Sequence, residues 1–193
     1  GEESGSTTKI VILHTNDMHA SLDNMPKLAA FKKEMEEKYE NVILVSAGDI
    51  FSGNPVVDFH EKKGFPMIDL MNRTGYQVST LGNHEFDYGQ KVLSLRMKQA
   101  DFPFICANMK TEDALMPQPD PYAVIEKGDI KLLFLGLIEL GNEGVPSTHP
   151  EKVGGIRFTD PIQTAEEFIH LNGMYNAFIG LTHLGYETDR ELA

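Results

Sequence analysis

The chain has 193 residues, of which 41% are hydrophobic, and its formal net charge is −12. This acidic balance argues against binding to a nucleic acid polymer, because the phosphates of a polymer require a basic surface. Small phosphorylated ligands stay open, since bound metal ions can reverse the local potential. The single cysteine excludes an internal disulfide, and no apolar run has the roughly 20 residues that a transmembrane segment needs.

The amino-terminal residues 1–8, GEESGSTT, are small and polar, and they lack the apolar core of a signal peptide. We expect them to form a flexible leader. Residues 9–193 are expected to form one domain. Its class is α/β, because short apolar runs alternate with stretches of helical periodicity.

In the first half of the chain, predicted strands alternate with predicted helices. The strands are predicted over 9–15, 41–48 and 76–82, and the helices over 26–39, 65–75 and 88–100. Asn24 and Pro26 suit the start of the first helix, and Gly75 suits the end of the second.

The pattern changes in the second half. Residues 122–138 predict a hairpin that turns at 127–129, and a polar loop is predicted over 139–155.

The last predicted elements are a helix over 160–173 and a strand over 176–185. Asp160 is the expected N-cap of that helix, and Pro161 fits its first turn. The final residues, ETDRELA, resemble the opening of another helix. Because an α/β sheet ordinarily continues, we expect the chain to be a fragment of a larger protein.

Side chains of the types that bind metals follow four predicted strands where each strand ends. They are Asp17 and His19, then Asp49, then Asn83, His84, Glu85 and Asp87, and finally His183. In α/β folds, ligands bind at the carboxyl ends of the strands. These groups therefore predict one shared site.

The spacing of these residues has a physical interpretation. Two residues apart on an extended segment, Asp17 and His19 point to the same side and can hold one ion. Asp49 has two oxygens and could bridge two ions, while Gly48 and Gly82 permit a close approach of the backbone. A mixture of Asp, His and Asn suits Mn, Zn, Fe or Mg, whereas a soft site would use cysteine.

Taken singly, each motif has a structural interpretation as well, because Asp and Asn favour turns and a lone histidine is often structural. Their common position after separate strands favours a site. Four other polar residues are expected to be structural: Glu85 as a turn or supporting residue, Asn108, Cys106 as a buried small residue, and His14 as a packed strand residue.

Four segments, ILHTNDMHA, SAGDIFSG, TLGNHEFDYG and GLTHLGYETD, together resemble successive signatures of the calcineurin-like metallophosphoesterases. More narrowly, the chain resembles the 5′-nucleotidase / 2′,3′-cyclic-nucleotide 2′-phosphodiesterase branch of the bacterial secreted or cell-wall type, from about residue 9 onward. The resemblance implies a four-layer αββα sandwich and a small nucleotide as substrate. It also implies an extracellular, periplasmic or cell-wall location.

The resemblance implies two divalent metal ions, with Mn, Zn, Fe and Mg all left open. Asp17 and His19 would bind the first ion, Asn83 and His183 the second, and Asp49 would bridge both. Water activated between the ions would attack the phosphoester, because two ions lower the pKa of bound water and clamp phosphoryl oxygens.

The resemblance assigns His84 and Asp87 a different role. His84 would contact the scissile phosphate and assist the leaving group, and Asp87 would orient its imidazole. We expect neither residue to be a metal ligand.

The chain also departs from the family pattern. The G-H-x-H or G-H-x-Q motif, which supplies one more ligand to each ion, and the substrate-binding domain have no counterpart up to residue 193. Gln77 replaces a common Asp and Ala20 a common Gly, with little expected effect. A fragment impaired in activity is therefore predicted. Two alternatives stay open: a non-catalytic metal- and nucleotide-binding module, and a same-fold hydrolase of nucleotide-sugars or thiosulfate esters.

Overall fold

The computed structural model describes residues 7–193. Its first half is a parallel sheet whose strands lie in the order β1-β2-β3-β4. The strands are β1 (Val11–Thr15), β2 (Val42–Ser46), β3 (Val78–Thr80) and β4 (Phe104–Ile105). The helices between them are α1 (Met25–Lys38), α2 (Pro55–Asp58), α3 (Phe65–Thr74) and α4 (Gln90–Gln99). Because all four strands are parallel, their carboxyl ends meet at one edge.

The second half adds two further sheets. Its strands are β5 (Met109–Thr111), β6 (Tyr122–Lys127), β7 (Ile130–Ile138), β8 (Ile156–Phe158) and β9 (Ala177–His183). The hairpin β6-β7 is antiparallel, β9 pairs with β7 in parallel, and β5 pairs with β8 in a small antiparallel sheet. The helices of this half are α5 (Pro161–Phe168) and α6 (Tyr186–Leu192).

Three buried clusters separate four layers. Leu44 packs with Met71 between the parallel sheet and its helices, whereas the adjacent Val45 faces Phe134 between the two larger sheets. Leu135, next to Phe134 on β7, faces the helices of the second half. Neighbouring strand residues point to opposite faces, so β2 and β7 each contribute to two clusters. The helix–sheet–sheet–helix order confirms the predicted αββα sandwich.

The long elements were predicted to within a few residues at most boundaries. Gly75 ends α3 with a φ of 87°, and the Asp160 side chain accepts a hydrogen bond from the Gln163 amide as the predicted N-cap. The predicted helix over 160–173 is shorter, because α5 ends at Phe168 and a 3-10 turn follows over Ile169–Leu171.

The expectations for two individual residues have different outcomes. Asn24 occupies the N-cap position of α1 and Pro26 its first turn, as predicted, but the Asn24 side chain makes no capping hydrogen bond, because a 3-10 turn over Leu22–Asn24 leads directly into α1. The expectation that His14 is packed is wrong, because this residue is exposed. It shares one face of β1 with Ile12, which is 36% exposed, and β1 is an edge strand of its sheet.

The predicted leader falls almost wholly outside the described part of the chain, because residues 1–6 are not described. Within residues 7–193, no helix combines the length and apolar character needed to cross a bilayer. The assignment of 9–193 to a single catalytic domain stays a prediction.

Candidate metal centre

Two loops at the sheet edge, one after β1 and one after β2, have an unusual backbone. Within residues 7–193, every non-glycine residue with a positive φ lies in these loops. They are Asp17, His19, Ala20, Asp49 and Ser52. A left-handed conformation costs an L-residue about 1–2 kcal/mol, and such strain tends to collect at functional sites.

The strained loops hold each other in register. The amides of Asp17, His19 and Ala20 donate to the carbonyls of Gly48, Asp49 and Ile50 at 3.3, 3.0 and 2.8 Å. This run of bonds extends the β1–β2 pairing beyond the strands. The side chains of both loops are therefore fixed against one another.

Asp17 and His19 do converge, although not for the predicted reason. Their φ values of 50° and 43° exclude the extended segment that the D-x-H spacing predicts. His19 Nε2 lies 3.9 Å from Asp17 Oδ1 and 4.0 Å from Asp49 Oδ2. The left-handed turn, held by the β2 loop, brings the imidazole to both carboxylates.

His183 approaches the same carboxylates from the end of β9. Its Nε2 lies 3.1 Å from Asp49 Oδ2 and 3.9 Å from Asp17 Oδ1. Its Nδ1 donates to the Ala47 carbonyl at 2.9 Å. Such a second contact is typical of metal-binding histidines, because it orients the ring and directs the other nitrogen toward the ion.

Asp49 belongs to both clusters of metal-ligand side chains in the described residues. One consists of His19, Asp49 and His84, the other of Asp17, Asp49 and His183, and the ligand atoms within each lie within 4.8 Å of one another. Asp49 is also the most buried partner, with its side chain 4% exposed. This nitrogen and oxygen set fits a borderline or hard divalent ion.

The charges at Asp49 and His183 are coupled. Burial raises the pKa of Asp49, but the hydrogen bond and charge of His183 outweigh it, so the pKa falls below its ordinary value. For His183, burial favours the neutral form, yet Asp49 raises the pKa to about 9. In the metal-free protein the imidazolium therefore compensates part of the negative charge that a cation would neutralise.

Asn83 begins the 3-10 turn Asn83–Phe86, which is separated from the end of β3 by two residues. Its amide nitrogen donates to the Ser147 carbonyl at 2.9 Å, which leaves the side-chain oxygen as the atom suited to a cation. The loop that carries Ser147 also sends Lys152 to the carbonyl of Asp87, at 2.7 Å. The predicted polar loop over 139–155 is thus bound to the site.

His84 and Asp87 form the predicted pair. His84 Nδ1 donates to Asp87 Oδ2 at 2.8 Å, so the other ring nitrogen is free to face the site. Burial lowers the pKa of His84, but the bond to Asp87 and the charges of Asp49 and Asp87 outweigh burial and raise it. His84 also lies among the metal-ligand side chains, so the geometry allows either a ligand or a phosphate-facing role.

Glu85 has a larger structural role than its sequence context indicated. Its fully buried carboxylate accepts hydrogen bonds from four backbone amides, those of Gly82, Asp49, Ile50 and Phe51. Burial and the charge of Asp49 raise the pKa of Glu85 to about 7, against the effect of these donors. Glu85 joins the β3 turn to the β2 loop and so places the shared carboxylate.

Glycines allow the two loops to approach this closely. A Cβ on Gly48 would lie 2.7 Å from the Gly82 amide nitrogen, and a Cβ on Gly82 would lie 2.6 Å from the Asp49 nitrogen. Both distances are below any ordinary contact. The predicted close approach at Gly48 and Gly82 is confirmed.

A four-layer α/β sandwich with one carboxylate shared between two ligand clusters defines a domain of the metallophosphoesterase type. The chain matches the family model of the calcineurin-like phosphoesterases over residues 10–188, and it belongs to that family. Calcineurin-like phosphoesterases bind divalent metals, and the two clusters supply candidate ligands.

Individual relatives agree with this assignment. The chain is 30% identical to a 5′-nucleotidase of Vibrio cholerae over 98% of its own length and 36% of that protein. It is 30% identical to a 2′,3′-cyclic-nucleotide 2′-phosphodiesterase/3′-nucleotidase of Haemophilus influenzae, over 81% of the chain and 25% of that protein. The crystal structure of a 5′-nucleotidase precursor from Thermus thermophilus superposes with a TM-score of 0.82 at 28% identity, covering 95% of this chain and 39% of that one. The chain thus spans between 25% and 39% of the length of these relatives.

Proposed function

We propose that this chain contributes the catalytic site of a metal-dependent phosphohydrolase that acts on nucleotide phosphoesters, as a 5′-nucleotidase, a 2′,3′-cyclic-nucleotide phosphodiesterase or both. The observation that carries the proposal is the position of Asp49 in two ligand clusters beside the His84–Asp87 pair. The names of the relatives supply the substrate class.

Five residues would hold the ions. Following the family resemblance, Asp17 and His19 would bind one ion, Asn83 and His183 would bind the other, and Asp49 would be shared. The metal-free side chains are grouped differently, with His183 beside Asp17 and His84 beside His19, so this division rests on the resemblance and the sharing of Asp49 rests on the geometry. When bound, two such ions would activate a water molecule and neutralise charge on the phosphoryl oxygens. The acidic chain, with a formal net charge of −12, gives a second reason for them, because an anionic substrate would otherwise be repelled.

His84 would act at the leaving group. Asp87 holds the Nδ1 proton, so the proton available for transfer is the one on Nε2. As the oxygen of water forms a bond to phosphorus, the phosphorus–oxygen bond to the ribose breaks, its electron pair stays on the ribose oxygen, and the Nε2 proton moves to that oxygen. The products are a nucleoside and phosphate from a nucleoside monophosphate, or a nucleoside monophosphate from a cyclic nucleotide. Positioned acids of this kind contribute about 10²–10⁴-fold to a rate.

Phosphate release tests the proposal. The metal-loaded, full-length protein is incubated with AMP, a 2′,3′-cyclic nucleotide, a nucleotide-sugar and a thiosulfate ester, and phosphate, nucleoside monophosphate or sulfate release is measured. Hydrolysis of AMP or the cyclic nucleotide is expected, and Asp49→Asn should abolish it. If the wild-type protein hydrolyses no phosphoester with any of Mn, Zn, Fe or Mg, the proposed function is wrong. Calorimetric binding of nucleotide without turnover would favour a binding module instead.

Metal content separates the proposed role of His84 from that of a ligand. His84→Ala should lower kcat by about 10²-fold or more while the protein retains its ions by elemental analysis. Asp49→Asn serves as the matched control, because it should lose both metal and activity. Loss of metal in His84→Ala comparable to that in Asp49→Asn would make His84 a ligand.

We also propose, from the family resemblance, that the protein acts outside the cytoplasm. Fractionation of the source cells followed by immunodetection provides the test. Recovery of the protein only in the cytoplasmic fraction would contradict this location.

A further inference from the structure

Ser52 lies in the strained loop after β2 and contacts the His84–Asp87 pair. Its hydroxyl donates to Asp87 Oδ2, the same oxygen that accepts the Nδ1 proton of His84 at 2.8 Å. One carboxylate oxygen therefore receives two donors, one from the β2 loop and one from the β3 turn. Asp87 therefore links the two loops.

Ser52 is itself held in place by a second set of bonds. Its amide donates to the Tyr88 hydroxyl oxygen at 3.1 Å, and the Tyr88 hydroxyl donates to Asp58. The other oxygen of Asp58 accepts the amide of Gly53 at 3.1 Å. The loop around Ser52 is thus bound to Asp58 of α2 and to Tyr88, which follows Asp87.

The backbone conformation of Ser52 also indicates that this residue is held in place. Its φ is 51°, a conformation that an L-residue adopts only when surrounding contacts compensate for the strain. The bonds from Tyr88 and Asp58 supply such contacts. They keep the Ser52 hydroxyl directed at Asp87.

We propose that Ser52 is a positioning residue that fixes the Asp87 carboxylate and, through it, the ring of His84. The inference rests on the proposed function of the His84–Asp87 pair. Asp87 and His84 are 27% and 39% exposed, so packing alone leaves both side chains room to rotate. A second donor on Asp87 Oδ2 restricts that rotation, and it keeps the free nitrogen of His84 directed at the leaving oxygen.

The proposal makes a distinctive prediction about leaving groups. A ribose oxygen leaves as a strong base and needs the proton of His84, whereas p-nitrophenolate is a weak base and needs it much less. Ser52→Ala should therefore lower kcat for AMP by about tenfold but kcat for p-nitrophenyl phosphate by less than about twofold. KM for AMP should stay within about twofold, because the hydrogen bonds of Ser52 go to Asp87 and Tyr88, and neither is a proposed metal ligand.

The kinetic test uses the metal-loaded, full-length protein and three variants. Ser52→Gly removes the hydroxyl but accepts a positive φ, so it separates loss of the donor from backbone strain. Ser21→Ala is the matched control, because Ser21 lies in the neighbouring loop and makes no side-chain capping bond. Selective loss on AMP in both Ser52 variants, with Ser21→Ala unchanged, is expected. Equal losses on the two substrates, or no loss, would overturn the proposal.

A spectroscopic measurement tests Ser52 independently of turnover. In the metal-free protein labelled with ¹⁵N-histidine, the His84 Nδ1 proton should give a slowly exchanging downfield signal, assigned by its absence in His84→Ala. Ser52→Ala should broaden or remove that signal, and Ser21→Ala should not. If the wild type hydrolyses neither substrate, the proposed function fails while this signal still tests the contact. An unchanged signal in Ser52→Ala would refute the positioning role.

Discussion

Replacing Gly82 by alanine would place a methyl group against the shared carboxylate of the metal centre. The added Cβ would lie 2.6 Å from the Asp49 nitrogen, whereas ordinary contact begins at 3.4 Å, so the backbone would have to move by about 0.8 Å. Asp49 Oδ1 would lie closer still and would move further. Overpacking of this kind typically costs about 1–3 kcal/mol, and metal–ligand distances tolerate only about 0.2 Å.

We therefore expect Gly82→Ala to lower the free energy of unfolding by about 1–3 kcal/mol and to lose metal that the wild type retains. Urea unfolding of the metal-free protein gives the first quantity, and elemental analysis after dialysis against metal gives the second. Gly141→Ala is the matched control, because its added Cβ meets nothing closer than 3.5 Å. Unchanged stability with full metal content in Gly82→Ala would refute the close-approach reasoning.

Three further predictions concern buried and capping groups. Glu85→Ala leaves four amides without their acceptor and should lower the free energy of unfolding in urea by about 4 kcal/mol or more. A loss below about 1 kcal/mol would contradict the role of Glu85 in joining the β3 turn to the β2 loop. Asp49 raises the pKa of His183 to about 9, and a raised histidine pKa stabilises the fold at low pH. Stability of the metal-free protein should therefore fall by about 1–3 kcal/mol as pH rises from about 6.5 to 9, whereas a flat profile of urea midpoints would refute the coupling. Asp160→Ala removes the N-cap of α5 and should lower the free energy of unfolding by about 1 kcal/mol, as measured by thermal unfolding. Glu126→Gln, which changes an exposed carboxylate, is the control and should change the stability little.

The long elements could be predicted because local sequence patterns report burial. The fully buried β2 and the hairpin β6-β7 fall close to their expected positions, whereas β4, with two residues, and α2, with four, were not predicted. Segments this short contain only about one period of the strand alternation or of the helical repeat, which is too little to recognise. Their existence depends on the pairing and packing partners that the fold supplies.

The site was predicted as a set of residue types, and its geometry was not. Asp17 and His19 meet through left-handed turns instead of an extended segment, and the sequence contains no signal for that backbone. Glu85 and Ser52 had a single weak signal, their position beside strand-exit motifs. Three of the four amides that bind Glu85, and the Asp87 carboxylate that binds Ser52, lie more than 30 residues away along the chain, at separations that local periodicity does not report.

The order of the long strands and helices, the placement of ligand-type side chains after strands, and the glycines that permit close approach could all be read from the sequence. These features follow from side-chain burial and local backbone freedom, which a short segment encodes. The folded structure was needed to show that Asp49 is shared by two clusters, that Glu85 fixes the loop carrying it, and that Ser52 reaches Asp87. Those contacts arise because parallel strands bring distant loops to one sheet edge, where hydrogen bonds between the loops set each side chain's direction.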